Sequence, residues 1–400
     1  MFEQLPSVPP DGILGLTEAF KRDPNPRKVN LGVGVYRDET GHTPILGCVK
    51  AAERLLLERE ESKTYLPIDG LPGLAVQVQE LLFETTSSII SNARAVTAQT
   101  PGGTGALRLG AELIRRTRAD ATVWVSEPTW PNHPHIFQTV GLRVNTYPYF
   151  NPTTMQVNFD ALIETVRYIP AGDILLLHGC CHNPTGADLE ADQWREVAAL
   201  VSERGIIPFV DFAYQGFGDG LEKDADGLRT LSNLVPEMLI ASSFSKNFGL
   251  YNERVGALTV IVKDQTVATR VRGHVKQLAR RNYSNPPAHG GKIVETVLAT
   301  PHLRQQWQEE LAGMRTRIHL MRHLLAETLN DNGAPRDFSF ITRQRGMFSY
   351  TGLTPEQVQR LREEYSIYMT RSGRINVAGL THDNVNYVAQ AITTVLKSST

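Results

Sequence analysis

The stretch Met238-Leu239-Ile240-Ala241-Ser242-Ser243-Phe244-Ser245-Lys246-Asn247-Phe248-Gly249-Leu250 decides how the rest of the chain is read. Its first four residues are apolar, with Pro236 upstream and a serine cluster downstream, which is the pattern of a short buried strand. Lys246 follows just past the strand's C-terminal end. In open α/β sheets that edge is where ligands bind. A desolvated amine there loses proton affinity, and its lone pair becomes free to condense with a carbonyl. A single lysine is most often a solvated surface charge. Lys246 gains its meaning from the segments around it.

Outward from Lys246, buried-strand patterns alternate with helical ones. Strand patterns cover Thr122 to Ser126, Ile174 to Leu177, Ile206 to Val210 and Val255 to Val262. Helical patterns cover Thr104 to Thr117 and Ala191 to Glu203. Such alternation predicts a mostly parallel sheet covered on both faces. Polar clusters follow four of the strands: Glu127-Pro128-Thr129-Trp130, His182-Asn183-Pro184, Asp211-Phe212-Ala213-Tyr214 and the Lys246 stretch. In a parallel sheet those ends lie together and make one site from distant segments.

The flanking regions differ in texture. Residues 1–10 hold three prolines and read as an extended arm, and Asp11 to Phe20 reads as a short helix. Val29 to Tyr36 is strand-like but contains Gly32 and Gly34, a sign of close backbone approach. Val49 to Glu60 is helical in pattern. His302 to Asn330 is a long amphipathic pattern ended by Asn332-Gly333, long enough to bridge two domains. Beyond residue 335 a smaller α+β unit is expected, with a capping box at Thr354-Pro355-Glu356-Gln357.

Composition narrows the function classes. A chain of 400 residues exceeds one ordinary core, so two domains are expected. A net charge of −1 carries no signal for nucleic acid or acidic membrane. The three cysteines, Cys48, Cys180 and Cys181, suit a reducing compartment, and no signal peptide or membrane-length apolar run is seen. The eleven histidines do not cluster at metal-ligand spacing, and no metal is expected. The expectation is a soluble, cytoplasmic protein.

Several pieces carry chemistry. Thr100-Pro101-Gly102-Gly103-Thr104-Gly105 is a glycine-rich turn opening a helix, which offers backbone N–H groups and a positive dipole end to an anion. It matches neither the dinucleotide nor the Walker spacing, and by itself is equally readable as a tight loop. Asp211 reads as a turn acid or as a carboxylate holding a proton on a ring nitrogen, with Tyr214 able to donate into the same place. Asn183, before a proline, is expected to be held extended. Cys180 and Cys181 read as small buried groups. Trp130 is either core filler or a flat stacking surface. Arg254 and Arg374 have the planar donor fork that suits carboxylate or phosphate. Together these supply an amine, a phosphate cradle, a stacking ring, a carboxylate for a ring nitrogen and an arginine for a substrate carboxylate. That set is what pyridoxal phosphate requires to act as an electron sink.

With those residues in view, the chain resembles the class I aminotransferases of fold type I, in the subgroup that acts on aspartate and aromatic amino acids. The resemblance runs from Ile13-Leu14-Gly15-Leu16 to Val377-Ala378-Gly379-Leu380. It is strongest in Ser243 to Gly256, in Cys181-His182-Asn183-Pro184-Thr185-Gly186 and in Asn282-Tyr283-Ser284-Asn285-Pro286-Pro287. It implies an α/β fold with a large pyridoxal-phosphate domain over residues 45–312. A smaller α+β domain would be built from residues 1–44 and 313–400 and would close over substrate.

The resemblance also implies roles. Lys246 carries the cofactor covalently and later moves a proton. Asp211, backed by His133, keeps the pyridine nitrogen protonated. Asn183 and Tyr214 hydrogen-bond the phenolic oxygen, and Trp130 stacks on the ring. Gly103, Thr104, Ser243, Ser245 and Arg254 hold the phosphate, joined by Tyr65 from a partner subunit, which implies a homodimer with shared sites. Arg374 binds the substrate α-carboxylate. Arg280 crosses the dimer to a dicarboxylate side chain, and Val33, Gly34 and Phe348 line the pocket. The chain departs from many members at Asp11-Gly12, where they carry Asp-Pro.

The expected reaction moves an amino group from L-aspartate, with L-glutamate and aromatic amino acids as further substrates, to a 2-oxo acid such as 2-oxoglutarate. Val35, Thr43, Thr104 and Asn285 lean to the aspartate branch. The alternatives are an enzyme acting mainly on tyrosine and phenylalanine, the same cofactor turned to β-elimination or decarboxylation, and a non-catalytic cofactor-binding regulator.

Overall fold

In the computed structural model, residues 1–6 and 14–398 are described, and they form two compact units. One is Pro44–Thr316; the other joins Met1–Thr43 to Arg317–Thr400. In chain order the strands are β1 (Val29–Asn30), β2 (Ala95–Pro101), β3 (Thr122–Glu127), β4 (Arg143–Pro148), β5 (Phe150–Asn151), β6 (Gln156–Val157) and β7 (Ile174–His178). They continue as β8 (Ile207–Phe212), β9 (Met238–Ser243), β10 (Val255–Ile261), β11 (Phe348–Tyr350), β12 (Ile367–Tyr368) and β13 (Arg374–Asn376).

The larger unit is built on a seven-stranded sheet of order β2-β10-β9-β8-β7-β3-β4. Only β10 runs against its neighbours, so the other six strands share one direction. β2 and β4 complete the sheet although their sequences give weaker strand signals. β4 is an edge strand with mostly exposed side chains, so no apolar run marks it. β2 is buried but mixes Thr97, Gln99 and Thr100 among its apolar residues.

Alternation along β2 shows why both faces are covered. Val96 and Ala98 enter the core cluster shared with Ala106, Leu109 and Leu113 of the Gly102–Thr117 helix. Thr97 and Gln99 point the other way, where Gln79 donates to Thr97 Oγ1 at 3.0 Å and Gln99 donates to the Pro287 carbonyl at 2.8 Å. A strand with apolar contacts on one side and satisfied polar groups on the other lies between two helical layers. Gly110 lets the Gly102–Thr117 helix approach closely, because a Cβ there would stand 2.5 Å from the Phe209 ring.

The smaller unit holds a parallel β1–β12 pair and an antiparallel β11–β13 pair. Its Pro355–Tyr365 helix has both arms of the capping box, Thr354 to Gln357 and back. The strand expected from Val29 to Tyr36 is much shorter, Val29–Asn30 only. Past it, the Asn376 side chain donates to the Val33 and Val35 carbonyls at 2.7 and 2.6 Å, in place of a neighbouring strand. The N-terminal six residues are not simply extended, since Phe2–Gln4 form a 3₁₀ turn. The first helix runs Leu14–Arg22; Asp11, Gly12 and Ile13 lie outside the described residues. The long amphipathic pattern is one helix, Pro301–Asp331, and the division between units falls inside it. Among the described residues no helix is long and apolar enough to cross a membrane.

Candidate active site

Strand direction brings the site together. β2, β3, β7, β8 and β9 all end on one edge of the sheet. β10 starts there because it is antiparallel, with Val255 opposite Pro101 and Gly256 opposite Ser243. The segment from Ser243 to Arg254 therefore leaves and re-enters the sheet on the same edge, which keeps Lys246 and Arg254 together.

The anion cradle forms at this edge. The Gly102–Thr117 helix begins with no side-chain cap and no acidic residue in its first turn, so its first N–H groups and positive dipole end suit an anion. Ser243 donates to Ser245 Oγ at 3.2 Å, and the Arg254 guanidinium donates to the same Ser245 oxygen at 3.0 Å. Gly102 has φ +71°, and a Cβ there would meet the Arg254 guanidinium at 2.4 Å. Gly256 lets the strand pass under the turn, since its Cβ would lie 2.4 Å from the Gly102 carbonyl carbon. Arg254 itself has φ +55°, a left-handed conformation that costs about 1–3 kcal/mol in a non-glycine residue. Thr104 sits half-buried in the same first helical turn.

Lys246 is half-buried, not fully buried, and its Nζ lies 4.9 Å above the centre of the Tyr214 ring. Asp211 lies on β8 opposite His178 on β7. Burial pushes its carboxyl up, but the hydrogen bond and charge interaction with His133, with smaller contributions from His178 and Lys246, bring it below the usual carboxylate range. Asn183 and Tyr214 are buried. Trp130 packs partly against the core cluster and meets His133 edge-on, with ring centroids 5.2 Å apart.

A chain of hydrogen bonds behind Asp211 has one consistent proton assignment. The Asn183 backbone N–H donates to His178 Nδ1 at 3.4 Å, so neutral His178 carries its proton on Nε2 and donates to Thr129 Oγ1 at 3.2 Å. The Thr129 hydroxyl then donates to His133 Nδ1 at 2.8 Å, and His133 Nε2–H donates to Asp211 Oδ2 at 2.9 Å. Thr129 and His178 are members of this chain that sequence reading did not single out. His178 is recognised only through strand register, which no local motif reveals.

His182 is fully buried between the rings of Tyr149 and His178, each with its centroid 4.0 Å away. Ser126 donates to the Pro128 carbonyl, so its oxygen accepts from His182 Nε2–H, and Thr185 donates to Nδ1. Burial, and then the neighbouring histidines, push the His182 proton affinity well down; the same causes lower His178 to about 3. Unfolding frees both to bind protons near pH 6.5. Their stabilisation is thus complete above that pH and is lost as pH falls below it, for His178 towards about 3. Urea midpoints of the holoenzyme measured from pH 7 to pH 4.5 should therefore fall with acid. The unfolding free energy drawn from them falls below pH 6.5 by about 1.4 kcal/mol per pH unit for each such histidine. His182→Gln should be less stable at pH 7 yet show a shallower fall; an unchanged slope would contradict this account.

Cys180, Cys181 and Asp224 bring ligand-type atoms within 4.8 Å of one another. Asp224 already accepts from the Gly216, Gly218 and Asp219 backbone N–H groups, so its carboxylate serves the loop. Burial, and then the neighbouring Cys181 thiol, push the Cys180 thiol well up.

The other expected residues are placed elsewhere on the chain. Tyr65 is 89% exposed. Arg280 is exposed at the end of the Gln265–Asn282 helix and donates to Ser284. In the smaller unit, Arg374 is buried, donates to the Gly32 carbonyl at 2.8 Å and lies over the Phe348 ring at 4.2 Å. Gly34 is tight against that ring, since a Cβ would be 3.0 Å from Phe348 Cζ; Val33 is half-buried beside it.

The edge of the larger unit fits pyridoxal phosphate by its donor set: a cradle with no room for a Cβ at Gly102 or Gly256, an amine, and a carboxylate kept ionised.

Comparison with known proteins follows the same direction. The family model for aminotransferase class I and II matches residues 26–392. The chain is 52% identical to an aspartate aminotransferase of Escherichia coli over 396 residues, 99% of this chain and all of that one. It is 46% identical to an aromatic-amino-acid aminotransferase of Pseudomonas aeruginosa over 394 residues, 98% of each. A crystal structure of an aromatic-amino-acid aminotransferase from Burkholderia pseudomallei, covalently bound to pyridoxal phosphate, superposes with TM-score 0.97 at 48% identity, covering 99% of both chains.

Proposed function

The chain belongs to the class I and II aminotransferases and is a pyridoxal-phosphate enzyme of fold type I, and on that premise we propose that it moves the amino group of L-aspartate to a 2-oxo acid such as 2-oxoglutarate. L-glutamate and aromatic amino acids are further substrates. The observation that carries the reading is the shared sheet edge where Lys246, Asp211 and the cradle of Gly103, Thr104, Ser243, Ser245 and Arg254 meet.

When bound, pyridoxal phosphate supplies a carbonyl for the covalent link and a sink for the electron pair left at the substrate α-carbon. The chain's residues do the rest. Lys246 Nζ would hold the group covalently and would carry a proton to and from the substrate α-carbon. The Asp211 carboxylate would hold a proton on the ring nitrogen, kept aimed by its hydrogen bonds through His133, Thr129 and His178. Asn183 and Tyr214 would hydrogen-bond the ring's phenolic oxygen, and Trp130 would offer the ring a stacking surface. Arg374 takes the α-carboxylate beside Val33, Gly34 and Phe348.

The full assembly in this proposal is a cytoplasmic homodimer. What supports it is the exposure of Tyr65 and Arg280, two residues whose expected ligands are a phosphate and a carboxylate. Burial of both by a second copy would give each site a Tyr65 and an Arg280 from its partner. Three buried free thiols suit a reducing compartment.

The aspartate reading is tested by mixing holoenzyme with L-aspartate or L-phenylalanine, without an oxo acid, and following the cofactor's absorbance. Both should convert it, aspartate much faster. Arg280→Leu should slow aspartate by about 10²-fold and leave phenylalanine within about threefold. A faster reaction with phenylalanine in the native enzyme would move the chain to the aromatic branch.

A further inference from the structure

Arg322 lies on the Pro301–Asp331 helix and is only 1% exposed. A guanidinium held out of water is costly unless its N–H groups find acceptors. Arg322 finds them in main-chain carbonyls. One terminal nitrogen donates to Ile341 O at 3.0 Å; the other reaches Gly346 O at 2.7 Å, Phe348 O at 2.5 Å and Arg345 O at 3.3 Å. The planar fork thus gathers the whole turn from 341 to 348, something a lysine's point charge does less well.

That turn delivers Phe348, the first residue of β11. β11 pairs with β13 so that Phe348 faces Asn376 and Tyr350 faces Arg374. The Phe348 ring then returns across the pair to lie 4.2 Å below the Arg374 guanidinium, with Gly34 tight against the ring's far edge. Arg374 is held on one side by the Gly32 carbonyl and on another by this ring. The ring's own main chain is tied to Arg322.

We propose that Arg322 is a positioning residue for substrate recognition: by gripping the carbonyls of Ile341, Gly346 and Phe348 it sets the Phe348 ring on which Arg374 rests, and so aims Arg374 at the substrate α-carboxylate. This rests on the reading of Arg374 as the carboxylate-binding arginine. The α-carboxylate is common to every amino-acid substrate, so a misaimed Arg374 weakens all of them alike. The cofactor cradle, in the other unit, is not involved.

The test uses purified holoenzyme and the variants Arg322→Met, Arg322→Lys and Arg374→Leu. KM and kcat are measured for L-aspartate and L-phenylalanine, alongside affinity for pyridoxal phosphate and thermal midpoint. Arg322→Met should raise both KM values by the same factor, about tenfold, with kcat changed by less than about threefold and cofactor affinity unchanged. Arg322→Lys should fall between Arg322→Met and native, and it carries the test alone if the methionine variant does not fold. A lowered thermal midpoint with native KM values in either Arg322 variant would overturn the proposal, as would a KM change for one substrate only. Native KM values in Arg374→Leu would instead overturn the reading of Arg374 itself.

Discussion

Lys246→Ala is expected to lower kcat for L-aspartate by about 10⁴-fold or more while pyridoxal phosphate still binds. In the proposed mechanism the amine has two tasks, holding the cofactor covalently and moving the α-proton, and alanine can do neither. The cradle is untouched by the change, because the helix start at Gly102 and the Ser243–Ser245–Arg254 hydrogen bonds are made without Lys246. The variant should therefore retain the cofactor through its phosphate, without the absorbance of the covalent link. Gel filtration of the loaded variant reads retention, and steady-state assay with a coupled dehydrogenase reads turnover. Activity within tenfold of native would remove Lys246 from the mechanism. Loss of cofactor together with activity would shift the phosphate's anchor away from the cradle.

Asp211→Asn should cost about 10³-fold in kcat with little change in fold or cofactor retention. Asparagine has the same shape and still offers an oxygen to His133 Nε2–H, so the chain through Thr129 and His178 keeps its geometry. What disappears is the negative charge proposed to hold a proton on the ring nitrogen. The sign of the native pH dependence follows from the same contacts. Burial raises the Asp211 carboxyl, His133 and then the other charges lower it further, and the net position is below the ordinary 3.8. A depressed carboxyl stays ionised above its unfolded value, and its contribution is lost only as pH falls through the folded value. Loss of activity between pH 7 and pH 4.5 should therefore not titrate with Asp211, and the residual activity of Asp211→Asn should show the same acid limb as native. A missing acid limb in the variant would assign that limb to Asp211.

Much of the fold was legible locally. The apolar runs of β3, β7, β8, β9 and β10 and the 3.6-residue pattern of the Gly102–Thr117 helix are written residue by residue, because burial of alternate or periodic positions demands it. Both caps at Thr354 were readable for the same reason: a capping box involves four consecutive residues. β4 was not, since most of its side chains are exposed and its covered residues, Val144 and Tyr147, do not alternate. Nor was the end of the Val29 strand, which depends on the amide of Asn376 taking the carbonyls of Val33 and Val35 across 341–343 residues of chain.

The sequence by itself determined the chemistry available: Lys246, Asp211, Arg254, Arg374 and the glycine-rich turn, each at the end or start of a readable element. Those are matters of residue type and local pattern, and they suffice to identify a cofactor class. Tertiary structure alone decided how that chemistry is held. The reversal of β10 places Arg254 back beside Ser245. Strand register sets His178 opposite Asp211, and the fold threads Thr129 and His133 between them. A buried guanidinium at Arg322 gathers a turn that its own helix never touches in sequence. The Thr129–His178 and His133–Asp211 contacts join residues 49 and 78 positions apart, and even the nearer pairs depend on strand polarity and hydrogen-bond direction, which no local window contains.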